Sequence, residues 1–196
     1  MGLTPQVAPG ATPLDPDEAR GLIPTHVSTQ GQLNEWELQN IVEGRAWASR
    51  LRKKDLLSID FMLELHRRMF GRTWRWAGTI RRTEKNIGVD PTQIAIHLTE
   101  LCRDVDAQLQ YRAYPVREVA ARFHHRLVKI HPFPNGNGRF SRLIADLLLI
   151  ERGEVPFAWG DGDLAVPDEI RQRYIGALRA ADANDYVPLF EFVRIR

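Results

Sequence analysis

Leu143-Ile144-Ala145-Asp146-Leu147-Leu148-Leu149-Ile150 leaves almost no polar face on a helix, so the helix that carries it must be enclosed by others. The rest of the chain supplies the enclosure. Leu33, Trp36, Ile41, Trp47, Ala48 and Leu51 recur at helical spacing. Ser58 opens a second helix with Met62, Leu65 and Met69, ending near Gly71. Asp90-Pro91-Thr92-Gln93 has the spacing of a capping box with proline at the first helical position. The stripe Ile94, Leu98, Leu101, Val105, Leu109 follows it. Another helix runs from Pro115 through Val116, Val119, Phe123, Leu127 and Ile130. Pro167-Asp168-Glu169 opens one through Ile170, Tyr174 and Leu178, and Pro188 to Arg196 adds a last turn or two. Only Trp74 to Val89 breaks the pattern: Gly78 and Gly88 bracket a polar stretch that reads as a short hairpin. The expected fold is all-α with one small β element. Pro5, Pro9, Pro13, Pro16 and Pro24, with Gly2, Gly10 and Gly21, forbid a helix in residues 1–27 and make them an extended arm; residues 28–196 form the domain.

A chain of 196 residues can bury a core as a single domain. With 27 basic and 25 acidic residues, no bulk field favours nucleic acid or a membrane. Cys102 is the single cysteine, which excludes an internal disulfide and a cysteine-based zinc site. The N-terminus lacks the basic-then-apolar layout of a secretion signal, and the longest apolar run is too short to span a bilayer. A soluble protein of the cytoplasm is expected, with no direct nucleic-acid or membrane binding.

Chemistry concentrates in His131-Pro132-Phe133-Pro134-Asn135-Gly136-Asn137-Gly138-Arg139, with Arg142 one turn on. Glycines let backbone N–H groups converge on an anion. The start of the following helix adds unpaired N–H groups and the positive end of its dipole. Arg139 and Arg142 can fork phosphate oxygens, and a histidine at the rim can accept a proton near neutral pH. The bland alternative is a glycine turn between two helices with surface arginines. His124 and His125 lack acidic partners at metal-ligand spacing and read as structural.

This run resembles the Fic (Fido) signature His-x-Phe-x-(Asp/Glu)-Gly-Asn-Gly-Arg-x-x-Arg. It matches at His131, Phe133, Gly136, Asn137, Gly138, Arg139 and Arg142 and departs at Asn135, where the family has an acidic residue. Trp76-Ala77-Gly78-Thr79-Ile80-Arg81 is similar to the approach to the Fic flap, and His66 to Gly71 to the helix end before it. Asn135 and the short chain most resemble the group called mobile mystery protein B. The resemblance implies a helical core with a hairpin flap and transfer of AMP from ATP to a protein hydroxyl. His131 would be the base. Asn135, Gly136, Asn137, Gly138, Arg139 and Arg142 would hold the nucleotide, and Asn135 would sit where Mg²⁺ is bound. Thr83, Glu84, Lys85, Asn86, Ile87 and Gly88 would form the flap that docks a protein target. Asn135 brings no negative charge to Mg²⁺, so attenuated transfer is one expectation. The competing one is a non-enzymatic nucleotide- or partner-binding component of a mobile, toxin-antitoxin-like two-gene cassette, beside a helix-turn-helix protein. Many Fic proteins carry an inhibitory (Ser/Thr)-x-x-x-Glu-(Gly/Asn) helix. Here Gln39 stands at the Ser/Thr position before Glu43-Gly44. Glu43 therefore reads as helix surface, and no intramolecular inhibition is expected.

Overall fold

A computed structural model describes residues 12–51, 55–159 and 169–195. Eight α-helices lie among them: α1 (Pro16–Ala19), α2 (Gln30–Arg50), α3 (Ile59–Phe70), α4 (Ile94–Gln110), α5 (Val116–Ile130), α6 (Asn137–Glu151), α7 (Glu169–Asp182) and α8 (Val187–Phe192). Helix α6 is the centre. Phe140, Ile144, Ala145, Leu148 and Leu149 are fully or almost fully buried, each large one contributing roughly 1.5–3 kcal/mol. Helices α5 and α6 pack along each other, α2 lies against α3, and α4 backs α5.

The caps follow sequence chemistry. The Thr29 hydroxyl accepts from Gln32 N–H at 3.3 Å and the Ser58 hydroxyl from Phe61 N–H at 3.2 Å. Asp90 accepts from Thr92 N–H at 2.7 Å, opening a 3₁₀ turn over Pro91–Gln93 that feeds α4. Pro167 and Asp168, expected to open α7, lie outside the described residues.

Three expectations change. Residues 12–27 are not wholly extended: Asp15 caps the single turn α1, with Pro16 at its first position, where a missing N–H costs nothing. The arm then lies along the domain, with Ile23 N–H donating to Thr73 C=O at 2.8 Å and Arg75 N–H to Gly21 C=O at 2.9 Å. The buried face of α2 is not purely apolar: it reads Leu33, Glu37, Asn40, Gly44, Ala48, while Trp36, Ile41, Trp47 and Leu51 are only partly covered.

The hairpin is also absent. No strand occurs among the described residues, only an isolated bridge between Leu22 and Trp74. The two limbs of the flap bond elsewhere. Arg81 N–H donates to Pro132 C=O at 2.9 Å and Val89 N–H to Ile130 C=O at 3.3 Å. Between them the buried Arg81 guanidinium reaches His131 C=O at 2.6 Å, Thr83 C=O at 2.8 Å and Val89 C=O. One side chain thus does the work of a ladder and fastens the flap to the end of α5.

Arg81→Met keeps the aliphatic bulk and removes these donors. Each buried carbonyl left unpaired costs about 1–3 kcal/mol. The variant should melt lower, and the Val89 amide should exchange with solvent markedly faster than in the wild type. Unchanged exchange at Val89 would remove Arg81 from this role.

Candidate active site

Helix α5 ends by delivering His131 in the left-handed region, φ 54° and ψ 60°, a conformation uncommon for a side-chain-bearing residue. Its backbone N–H closes the helix on Leu127 C=O at 3.0 Å, which turns the imidazole back toward its own last turn. Nδ1 stands 3.2 Å from Val128 C=O. A carbonyl only accepts, so Nδ1 carries the hydrogen and Nε2 presents a lone pair. Facing that lone pair is the Thr12 hydroxyl, 2.8 Å away and donating. Burial first, then the positive charges of Arg81 and Lys85, hold the His131 pKa down to about 4. At neutral pH the ring is therefore an uncharged acceptor.

The loop after His131 is built on buried polar contacts. The Asn137 side chain accepts from Phe133 N–H at 2.9 Å and donates to Phe133 C=O at 2.8 Å, closing the turn. The Phe133 ring stacks on His66 with centroids 3.7 Å apart. His66, fully buried, accepts from Gly78 N–H through Nδ1 at 3.0 Å and donates from Nε2 to Asn135 C=O at 3.1 Å. Burial holds it neutral, with a pKa of about 3. Gly136 has φ 78°, and a Cβ there would come within 2.8 Å of the Phe70 ring. Gly138 differs: a Cβ would meet only the Arg142 guanidinium, at 3.6 Å. Its lack of a side chain keeps space open beside the first turn of α6, where an anion would be favoured.

Arg139 and Arg142 both rise from the first turns of α6. Arg139 is paired, Nη1 to Glu37 Oε2 at 2.5 Å, while the other Glu37 oxygen accepts from Trp74 Nε1 at 2.7 Å. The Arg142 guanidinium lies over the Tyr174 ring, 5.6 Å from its centroid. Asn135 points its Oδ1 at its neighbour Gly136 N–H, 2.7 Å, with Arg139 Nη2 at 3.4 Å, and its Nδ2 donates to Thr12 C=O at 3.0 Å. Its oxygen is committed to donors and its outer edge is an N–H. No group of three His, Cys, Asp or Glu side chains suited to a cation exists among the described residues. The residues present do not fit a protein-held Mg²⁺.

The flap is engaged by the arm. Thr83 Oγ1 donates to Asp15 Oδ2 at 2.7 Å, and Lys85 Nζ reaches Asp15 Oδ2 at 2.8 Å and Glu18 Oε2 at 2.6 Å. The Lys85 side chain is only 2 % exposed, so these pairs are poorly screened. The bond to Lys85 first, then that to Thr83, holds the Asp15 carboxyl below its usual range. Glu84, Asn86, Ile87 and Gly88 face outward, yet a Cβ on Gly88, at φ 117°, would meet His131 Cβ at 2.8 Å. The flap therefore packs at Gly88 against the Arg81 guanidinium and the Cβ of His131.

His124 and His125 hold helices together. His125 donates to Asp182 at 3.1 Å and accepts from the Tyr186 hydroxyl at 3.0 Å; His124 bonds the Tyr174 hydroxyl at 3.0 Å. Glu43 is on the surface, paired with Arg72 at 2.6 Å. The carboxylate that does reach the loop is Glu37, absent from the sequence reading. Its signal was a charge on the buried stripe of α2, at positions 33, 37, 40, 44 and 48. Thr12 and Asp15 had no such signal.

A family model described as the Fic/DOC family matches residues 56–149. A protein adenylyltransferase Fic of Culex quinquefasciatus is 31% identical over 151 residues, covering 74% of this chain and 29% of that protein. Protein adenylyltransferase fic-1 of Caenorhabditis elegans is 32% identical over 147 residues, 72% of this chain and 27% of that one. The chain thus spans less than a third of these relatives. In structure, Fic-1 of Caenorhabditis elegans aligns with a TM-score of 0.61 and 29% identity, over 86% of this chain and 55% of that chain. BepC of Bartonella tribocorum with bound AMPPNP aligns with a TM-score of 0.65 and 18% identity, over 85% and 87%, a likeness of fold. No helix among the described residues is long and apolar enough to cross a membrane.

The buried neutral imidazoles set an acid limit on stability. His66 and His131, at about 3 and about 4, and His124, also lowered by burial, bind protons more weakly folded than unfolded, where a histidine titrates near about 6.5. Their contribution is complete above that pH and is lost as pH falls toward the folded values. Asp146, pushed up to about 6 by burial, works in the opposite sense, but His125, also lowered by burial, makes four histidines against one carboxyl. The melting temperature should therefore fall steeply between about pH 7 and about pH 5. A flat profile would show that these rings are not held neutral.

Proposed function

This chain carries a Fic/DOC family domain, and from that premise we propose that it transfers AMP from ATP to a protein hydroxyl. The observation behind the proposal is the His131 Nε2 lone pair, aimed at a hydroxyl 2.8 Å away at the rim of a loop whose glycines open onto a helix N-terminus. Relatives named protein adenylyltransferases support the reaction class, and a fold neighbour with bound AMPPNP supports an adenine nucleotide as donor.

In this reading His131 takes the acceptor's proton as its oxygen attacks the α-phosphorus, and pyrophosphate leaves. A positioned base contributes about 10²–10⁴-fold. The backbone of Gly136, Asn137 and Gly138 would hold the phosphates, with Arg142 beside Gly138. Arg139 must exchange Glu37 for phosphate, so Glu37 competes with the nucleotide for the same guanidinium. The Asn137 side chain acts differently: committed to Phe133, it shapes the loop and leaves its backbone N–H to the ligand. Metal ions would arrive with the phosphates, since Asn135 presents an N–H edge; no step depends on a protein-held cation. Residues 83–88 would receive the target's extended backbone by strand addition, after the arm has moved aside.

A second reading is a binding component of a two-gene cassette with a helix-turn-helix partner, as in the mobile mystery protein B group. Its support is Asn135 alone, which replaces the acidic residue.

His131→Ala should abolish transfer to protein and leave ATP affinity unchanged, as measured by labelled-ATP incorporation and calorimetry. Equal loss of both would make His131 structural. Arg139→Ala should weaken ATP by about ten- to a hundredfold, the value of a charge-assisted hydrogen bond, whereas Glu37→Gln should tighten it. If both variants bind like wild type, Arg139 does not contact the nucleotide.

A further inference from the structure

We propose that Thr12 is an acceptor within the same chain: its hydroxyl receives the nucleotide that His131 activates it to attack. The proposal rests on the transfer reading above. Its own observations are the placement of Thr12 and the means that hold it there. Thr12 lies 119 residues from His131 in sequence, yet its Oγ1 donates to Nε2 at 2.8 Å. Nδ1 is already committed to Val128 C=O, so the lone pair on Nε2 is aimed at this hydroxyl.

The arm is fastened at Thr12 itself and, C-terminal to it, along the flap. Asn135 Nδ2 donates to Thr12 C=O at 3.0 Å. Asp15 and Glu18 enclose the buried Lys85, and Thr83 bonds Asp15. Trp76 Nε1 donates to Glu18 C=O at 3.0 Å. Asn135 thereby acquires a physical role. An amide can donate to the Thr12 carbonyl, whereas a carboxylate in that position would face it with like partial charge. The residue that departs from the signature is the one that holds the acceptor segment.

The chemistry balances with a nucleoside triphosphate as co-reactant. Thr12 Oγ forms a bond to the α-phosphorus, and the bond from that phosphorus to the bridging oxygen breaks. Pyrophosphate leaves with the electron pair, and the hydroxyl proton passes to His131 Nε2 and then to solvent. The product is a phosphodiester on Thr12. Its bulk cannot share the 2.8 Å contact that the free hydroxyl makes, so the modified arm must leave the imidazole and uncover the flap for other acceptors.

The test incubates the full chain with α-labelled ATP and Mg²⁺, followed by intact-mass measurement and peptide sequencing. The expected result is one nucleotide per chain, on Thr12, at a rate independent of protein concentration. Thr12→Ser should keep the adduct and Thr12→Val should lose it. Asp15→Ala, which loosens the arm from Lys85, should slow self-labelling several-fold without slowing the labelling of proteins in an added cell extract. An adduct on any other residue overturns the proposal, as does transfer from wild type to Thr12 of a His131→Ala chain in a mixture. If the extract is labelled and Thr12 is not, the acceptor assignment falls while the transfer reading stands. If neither is labelled, both fall.

Discussion

A single uncharged imidazole, His66, joins the parts of this molecule that must meet for the site to exist. It leaves the core helix α3, accepts the Gly78 N–H where the flap begins, and donates to the Asn135 carbonyl inside the glycine loop. Its ring also forms the floor for Phe133. Both bonds require the Nε2–H tautomer, and a second proton would abolish the one from Gly78. Full burial keeps that proton off. The flap and the loop are therefore placed by one buried group whose charge state is fixed by the low dielectric around it.

From that joint the geometry of the candidate site follows by short steps. Asn137 clamps Phe133 from the first turn of α6, so the loop cannot slide along the helix. Arg81 pins the flap to the His131 carbonyl and, with Lys85, keeps positive charge near the imidazole. Burial first, and then that charge, lowers the proton affinity of His131, which keeps it unprotonated at rest and weakens it as a base. Strong positive charge also suits a polyphosphate, whose arrival would raise the His131 proton affinity as the reaction begins. The partners now holding these cations are Glu37 on Arg139 and the Asp15–Glu18 pair on Lys85; on the proposed function, these are the groups that nucleotide and target would displace.

The sequence made the helices legible because their signals are local. Thr29, Ser58 and Asp90 act within three residues, and the apolar stripes of α3 to α6 repeat every turn. The signature loop was legible for the same reason: His131 to Arg142 is contiguous. What stayed hidden is long-range. The flap looked like a hairpin because glycines bracket it, but its backbone bonds go to residues 130 and 132. Glu37 stands 102 residues from Arg139, and no periodicity marks such a pair beyond a carboxylate on a buried stripe. The proline spacing of the arm excluded a long helix, yet it left room for one turn started by Asp15 and Pro16. Nothing local could place Thr12 against His131.

The proposed chemistry depends on the state of one ring: His131 neutral, hydrogen on Nδ1, lone pair on Nε2. Long-range ¹⁵N–¹H spectroscopy of imidazole-labelled protein reads this directly. At neutral pH the His131 Nε2 should resonate as an unprotonated, pyridine-like nitrogen and Nδ1 as a protonated one, and this pattern should persist on acidification to near the folded value of about 4. A His131 that carries its hydrogen on Nε2, or that titrates near the ordinary histidine value of about 6.5, would contradict the assignment of this residue as the base.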